Sequence, residues 1–384
     1  MWRALASNML TVLAVALFLV AGVILWGKSQ YVAEGPLENA ICLQVKSGSN
    51  MTRVSRDLEA AGAVTSGALF RIGARYSEKA AQLKAGSYLV KEGASMEGII
   101  DQITRGGAST CGTEIIYRVG VNKLQVEVRE LDPATEQFVE LVEFDPTAGE
   151  APEVYAEKRD QRDTRYRLAL AEGVTSWQVV EGLKAWDVLS GEVAQLPAEG
   201  MLAPDSYEVQ KGADRAALLA EMQEKQTLRI NAAWESRQDG LPIQTREELL
   251  ILASIIEKET GVPEERGQVA SVFVNRLERG MRLQTDPTVI YGVTKGQGVL
   301  GRGLRQSELR KVTPWNTYVI DGLPPTPIAN PGQASLEAAA NPEATNFVFF
   351  VADGTGGHAF AETLEEHNRN VAKWREIEAQ QQGN

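Results

Sequence analysis

The chain has 384 residues and is 43% hydrophobic, enough to bury a core and, because single cores rarely grow past roughly 250 residues, to divide into two or three units. Its 51 acidic residues outnumber 39 basic ones for a net charge of -12, and no Lys/Arg run could follow a phosphate backbone, which excludes nucleic acid as a partner class. The two histidines, His358 and His367, and the two cysteines, Cys42 and Cys111, are not set at ligand spacing. No metal or cofactor site is therefore expected, and whether the cysteines pair is a matter of geometry that the sequence leaves open.

After a short tail (1–8), residues 9–26 read "MLTVLAVALFLVAGVILW" without a charge. As a helix rising about 1.5 Å per residue they would cover roughly 27 Å of hydrocarbon, just enough to span a membrane. A signal peptide has a shorter apolar core, of about 7–15 residues, and ends at a small-x-small site. Here the run ends in Trp26, suited to a membrane interface, and "GKSQYVAEGPL" offers no such site. The expectation is an uncleaved single-pass anchor followed by a linker (27–40). Arg3 and the amino terminus lie on one side and Lys28 on the other, which favours a cytoplasmic amino terminus and places the remainder beyond the membrane.

A pattern then recurs three times, "SGSNMTRVSRDL" from Ser47, "EGASMEGIIDQI" from Glu92 and "EGVTSWQVVEGL" from Glu172. Each reads as the end of a strand, a turn, and a helix with apolar residues at helical spacing: Val54 and Leu58, Ile99 and Ile103, Val179 and Leu183. The first copy continues through a second helix into the strand "LKAGSYLV". This layout resembles the LysM fold, a small module that grips amino-sugar polymers. We read residues 41–107 as one LysM-like unit and 169–215 as a second. Between them, residues 108–168 alternate apolar and charged positions in "IIYRVGVNKLQVEVREL" and end in the charged "AEKRDQRDTRYR", as an inserted antiparallel β segment would. Residues 216–384 form the remaining unit, so the fold class is α+β.

The dense motifs begin at Leu249. "LLILASIIEKETG" is an apolar helix carrying Glu257 and Glu259 astride Lys258. At about 100° per residue, Glu259 falls roughly 50° from the centre of the apolar face, Glu257 roughly 105°, and Lys258 nearly opposite. A carboxyl at the edge of an apolar surface is pushed toward its protonated form, as a proton donor to a glycosidic bond requires. Gly261 and Pro263 end the helix just beyond. Downstream lie residue types that hold sugars: Asn275, Gln284, Thr285, Asp286 and Tyr291, then Trp315, Asn316, Tyr318 and Asn330. Aromatic rings can stack on sugar faces, and Asn, Gln and Asp can bond hydroxyls. The alternative for "GLPPTPIANPG" is a rigid loop capping the next helix.

"ASIIEKET", "VASVFVNRLERGMRLQTDPTVIYG", "NTYVIDGLPPTPIANPGQASLEAA" and "GGHAFAETLEEHNRNVAKW" resemble the MltG (YceG-like) endolytic murein transglycosylases, membrane-anchored bacterial enzymes of the cell wall. The resemblance implies cleavage of the β-1,4 bond between N-acetylmuramic acid and N-acetylglucosamine in nascent peptidoglycan strands, leaving a 1,6-anhydro end and terminating strand synthesis. It also implies an inner-membrane anchor, a periplasmic catalytic domain and peptidoglycan synthases as partners. By this likeness Glu259 is the single catalytic carboxyl, with Glu257 in reserve. "RLQT" would line the substrate and "WNTY" would face the acid. The insertion at 108–168 departs from compact members of the family. Two other readings stay open: a hydrolytic muramidase using Asp286 as a second carboxylate, and a non-catalytic glycan-binding scaffold.

Overall fold

The computed structural model describes residues 2–105, 110–161 and 164–382. The expected boundary at 107–108, residues 162 and 163 of the charged stretch, and the side chain of Arg3 lie outside the described residues. The chain divides into two compact units, one of residues 1–115, 127–143 and 151–165 and one of residues 116–126, 144–150 and 166–384.

In the first unit, helix α1 spans Trp2–Val32. Its segment Thr11–Val32 is long and apolar enough to cross a membrane, with side chains such as Phe18 80% exposed. The helix overruns residue 26 because its last turn has a partner. Tyr31 lies against Gly73 so closely that a Cβ there would stand 2.2 Å from the ring. The first part of the expected linker is therefore helix, packed on its own unit.

Strand β1 (Ile41–Val45), helices α2 (Met51–Ala60) and α3 (Gly67–Tyr76), strand β2 (Gly86–Val90) and helix α4 (Met96–Arg105) follow. The strands pair antiparallel, Ile41 opposite Val90 and Val45 opposite Gly86, over a core that includes Val54, Leu58, Phe70, Ile99 and Ile103. Cys42 and Cys111 form a disulfide with their Cα atoms 5.7 Å apart, packed with Leu89 and Leu131.

The next elements are β3 (Thr113–Val119), β4 (Leu124–Asp132), β5 (Gln137–Phe144), helix α5 (Glu153–Arg159), β6 (Arg165–Leu170), helix α6 (Ser176–Ala185) and β7 (Ser206–Val209). All five strands share one sheet, ordered β5-β4-β3-β6-β7. The sheet runs across the boundary expected between an insertion at 108–168 and a unit at 169–215. Strand β6 starts at Arg165, before the expected boundary, and takes the free edge of β3, an affinity between distant segments that local pattern does not record. Only one helix separates β6 from β7. The chain after it is irregular and buries Trp186 against Tyr117, ring centroids 4.9 Å apart.

The recurring turns have a common geometry. Gly48, Gly93 and Gly173 take φ of 77°, 65° and 76°, a left-handed conformation that glycine adopts without steric cost. Two residues on, Asn50, Ser95 and Thr175 accept a backbone N–H of the helix that follows, from Arg53, Gly98 and Gln178. A fourth copy, "KGAD" at 211–214, escaped notice in the sequence. There Gly212 has φ 82° and Asp214 accepts from Ala217 at the start of the next helix.

That helix, α7 (Arg215–Glu235), leads into α8 (Arg246–Glu259), a 3-10 turn (Pro263–Glu265), α9 (Arg266–Glu278), α10 (Asp286–Thr294), α11 (Gln306–Arg310), α12 (Gln333–Ala340), the hairpin β8 (Phe349–Ala352) and β9 (His358–Ala361), and α13 (Leu364–Gln382). Every residue of α8 from Leu249 to Ile256 is buried, in a core shared with α7, α9 and α12. A helix that is apolar all round is a central helix. Lys258, placed opposite the apolar face by helical phase, is accordingly not in open solvent. It is partly buried and donates to the Gly173 carbonyl at 3.2 Å.

Candidate active site

Helix α8 ends at Glu259, where Thr260 turns extended (φ -136°, ψ 132°) and its hydroxyl accepts the Val262 N–H at 3.0 Å. Glu259 is thereby left at the rim of the helical core. Its Oε1 accepts the hydroxyl of Thr285. Thr285 is the N-cap residue of α10, yet its hydroxyl makes no capping bond, because it is turned to the carboxyl.

A threonine cluster fixes that arrangement. The backbone N–H of Thr285 donates to Thr317 Oγ1 at 3.0 Å, the hydroxyls of Thr288 and Thr317 are 2.9 Å apart, and Gln284 N–H donates to the Thr317 carbonyl at 3.2 Å. All three threonines are buried. Gln284 itself is exposed and holds φ 49°, a strained conformation for a residue with a Cβ, at the point where the chain passes the acid. Asp286 is exposed and receives the Tyr318 hydroxyl at 2.7 Å.

Burial pushes the Glu259 carboxyl above the ordinary carboxylate range. The Thr285 hydroxyl opposes that rise, the charge of Asp286 adds to it, and His358 and Arg276 offset it. Burial also raises the Tyr318 hydroxyl, with the Asp286 bond in support, so this phenol stays protonated at neutral pH. The site thus holds one carboxyl whose proton affinity is raised by burial beside a phenol tied to a second, solvated carboxylate.

The other expected site residues fall elsewhere. Asn275 spends its amide on the carbonyls of Thr345 and Phe347, both at 2.9 Å. Asn316 is fully buried, and its amide donates to the carbonyls of Glu308, Leu309 and Lys311. Asn330 is fully buried too, bonded to Leu202 and Val174. These amides spend their N–H groups on backbone carbonyls, where the sugar-holding role expected of them would have them free. Tyr291 turns its hydroxyl to Glu199 at 3.2 Å and its ring to Trp315. Glu257 accepts Gly332 N–H at 2.9 Å and Ser335 Oγ at 2.7 Å, capping the start of α12.

Several contributors carried no signal in the sequence. Arg276 is buried and donates to the Val348 and Leu283 carbonyls at 2.6 and 2.5 Å, pinning the loop that leads to Gln284 and Thr285. Glu265 grips His358 twice, accepting its backbone N–H and pairing with Nδ1, each at 2.8 Å. Only "GGHAF" in the quoted motifs marked His358.

With this geometry in place, the chain belongs to the YceG-like family, whose model matches residues 43–373. It is 27% identical over 358 residues to the endolytic murein transglycosylase of Bacillus subtilis (strain 168), covering 93% of this chain and 91% of that protein. It is 29% identical over 340 residues to the endolytic murein transglycosylase of Streptococcus pneumoniae serotype 2, where 87% of this chain matches 58% of that protein. A crystal structure of a putative YceG-like protein from Listeria monocytogenes is similar at a TM-score of 0.46 and 25% identity, covering 86% of this chain and 99% of that one.

Proposed function

We propose that the protein is an endolytic lytic transglycosylase of peptidoglycan, with Glu259 as its one acid and base. The observation that carries this reading is Glu259, partly buried, its carboxyl pushed up by burial and held by Thr285 at the end of a buried helix. Family membership and the activity for which the relatives are named support the same class. Glu259 donates its proton to the oxygen between N-acetylmuramic acid and N-acetylglucosamine as an oxocarbenium-like centre develops. The carboxylate then takes the proton of the muramic acid C6 hydroxyl while that oxygen attacks C1, closing a 1,6-anhydro ring. The nucleophile belongs to the same sugar, so its effective concentration is high and no second carboxylate is needed.

Gln284, Asp286 and Tyr318 line the sugar on the acid's side, and the Tyr318 hydroxyl, bonded to Asp286, stabilises developing charge. Tyr291, within α10, anchors that helix through Glu199 and Trp315. Helix α1 crosses the inner membrane with both units in the periplasm, a placement that fits the Cys42–Cys111 bridge, since disulfides persist in oxidising compartments. There the enzyme ends nascent strands beside peptidoglycan synthases, and the β1-α2-α3-β2 segment serves as a LysM-like glycan grip.

Mass analysis of products from uncrosslinked glycan strands tests the chemistry. Wild type should release anhydro-muramic ends and Glu259→Gln should release none. Reducing ends would instead mean a hydrolytic muramidase that uses Asp286. Intact strands that still bind the wild type would mean a scaffold.

A further inference from the structure

The β8–β9 hairpin walls a recess next to His358. The loop Asp353–Gly357 and helix α13 border an open cavity of about 280 Å³ lined by Ala352, Gly354, Gly356, Gly357, His358 and Trp374. We propose that this cavity is a subsite for one neutral N-acetylated hexosamine ring of the bound glycan, stacked on Trp374. The proposal rests on the reading of the protein as a glycan-cleaving enzyme.

Four observations carry it. The volume falls just below the usual range of ligand pockets, ~300–1,000 Å³, which suits one pyranose ring better than a disaccharide. Trp374 offers an aromatic face of the kind that covers the C–H side of a sugar. Three of the six lining residues are glycines, so much of the wall is bare peptide, whose N–H and C=O groups suit hydroxyls and an acetamide. No lining residue is Lys, Arg, Asp or Glu, which favours a neutral amino sugar over the carboxylate-bearing muramic residue.

The wall is also preformed. Asp353 Oδ1 accepts from Thr355 N, Thr355 Oγ1 and Gly357 N, so the loop is tied to itself. A Cβ on Gly354 would meet Ile377 at 2.8 Å, and one on Gly357 would meet the Glu265 carboxylate at 2.4 Å, so the loop lies tight against both. His358 joins the cavity to the reaction centre. It lines the recess and is held twice by Glu265, which stands six residues beyond Glu259 on the 3-10 turn that follows α8. A strand with its scissile bond at Glu259 therefore has an aromatic-walled recess within reach for a neighbouring ring.

Calorimetric titration of the full-length Glu259→Gln protein with defined uncrosslinked glycan oligosaccharides tests this. Trp374→Ala, which removes the stacking face, and Ala352→Leu, which fills the cavity, should each weaken binding about tenfold, while Trp374→Phe keeps near-parental affinity. Parental affinity in both Trp374→Ala and Ala352→Leu would overturn the subsite. Ala352→Leu decides the matter alone if Trp374→Ala loses its circular-dichroism signature. Product analysis of the wild type separates the two readings. Anhydro ends together with unchanged variant affinities remove the subsite and keep the activity, whereas uncut strands remove both.

Discussion

Glu257 and Glu259 leave the last turn of α8 for different partners. Glu257 Oε2 sits 2.9 Å from Gly332 N and 2.7 Å from Ser335 Oγ, while Glu259 Oε1 takes the Thr285 hydroxyl. One carboxylate closes a helix start, and the other is presented to the site. Glu257→Ala should therefore lower stability by about 0.5–2 kcal/mol, the usual range for a lost cap, while each folded molecule retains cleavage. Urea unfolding together with activity per folded molecule checks this. Loss of cleavage in a fully folded Glu257→Ala protein would move the acid to Glu257.

Glu259, Glu199 and Glu172 are all raised by burial above the ordinary carboxylate value. Their protonated forms are favoured in the fold, so the stability they contribute is complete below the unfolded carboxyl pKa of about 4.3 and declines as pH climbs through their folded pKa values. Glu259→Gln cannot ionise and escapes its share of that decline. It should unfold at a higher temperature than wild type at pH 7–8, with the difference closing toward pH 4. Thermal scans across pH would contradict the assignment if the gap were equal at both ends.

The two neighbours of the acid pull its proton affinity in opposite directions. The Thr285 hydroxyl lowers it and the Asp286 charge raises it. Thr285→Val should move the alkaline limb of the kcat/KM profile to higher pH, and Asp286→Asn should move it to lower pH, because that limb reports loss of the catalytic proton in the free enzyme. Parallel shifts in the two variants would be incompatible with Glu259 as the titrating acid.

The Cys42–Cys111 bridge joins β1 to the approach to β3, across 69 positions of chain. Cys42→Ser should lower the stability of the first unit by about 2–4 kcal/mol. Differential scanning calorimetry with and without reductant provides the check. The variant should be insensitive to reductant, and the wild type should shift toward it.

The sequence carried those features that depend on neighbours along the chain. The uncharged run at residues 9–26 announced a long apolar helix, and the glycine turns announced the starts of α2, α4 and α6. The apolar run from Leu249 announced α8, although its burial on every side left helical phase with less to decide than it promised. Relations between distant segments were not written locally. Asn316 and Asn275 have the composition of sugar ligands, but their amides answer carbonyls that only the fold brings near. Thr317 lay unremarked between two residues that were singled out, because a hydroxyl's value here depends on Thr285 and Thr288 arriving from another segment. Strand β6 gave no local sign that it would extend the sheet begun by β3.

The seating of Tyr31 against Gly73 removes slack where a tether would be expected. In a bilayer crossed by α1, the first unit cannot swing as if on a string. It leans and spins only as the helix does, so lipid thickness and helix tilt would govern how it meets its surroundings. Flexible residues inserted between Trp26 and Tyr31 would uncouple the two without altering a single side chain of either.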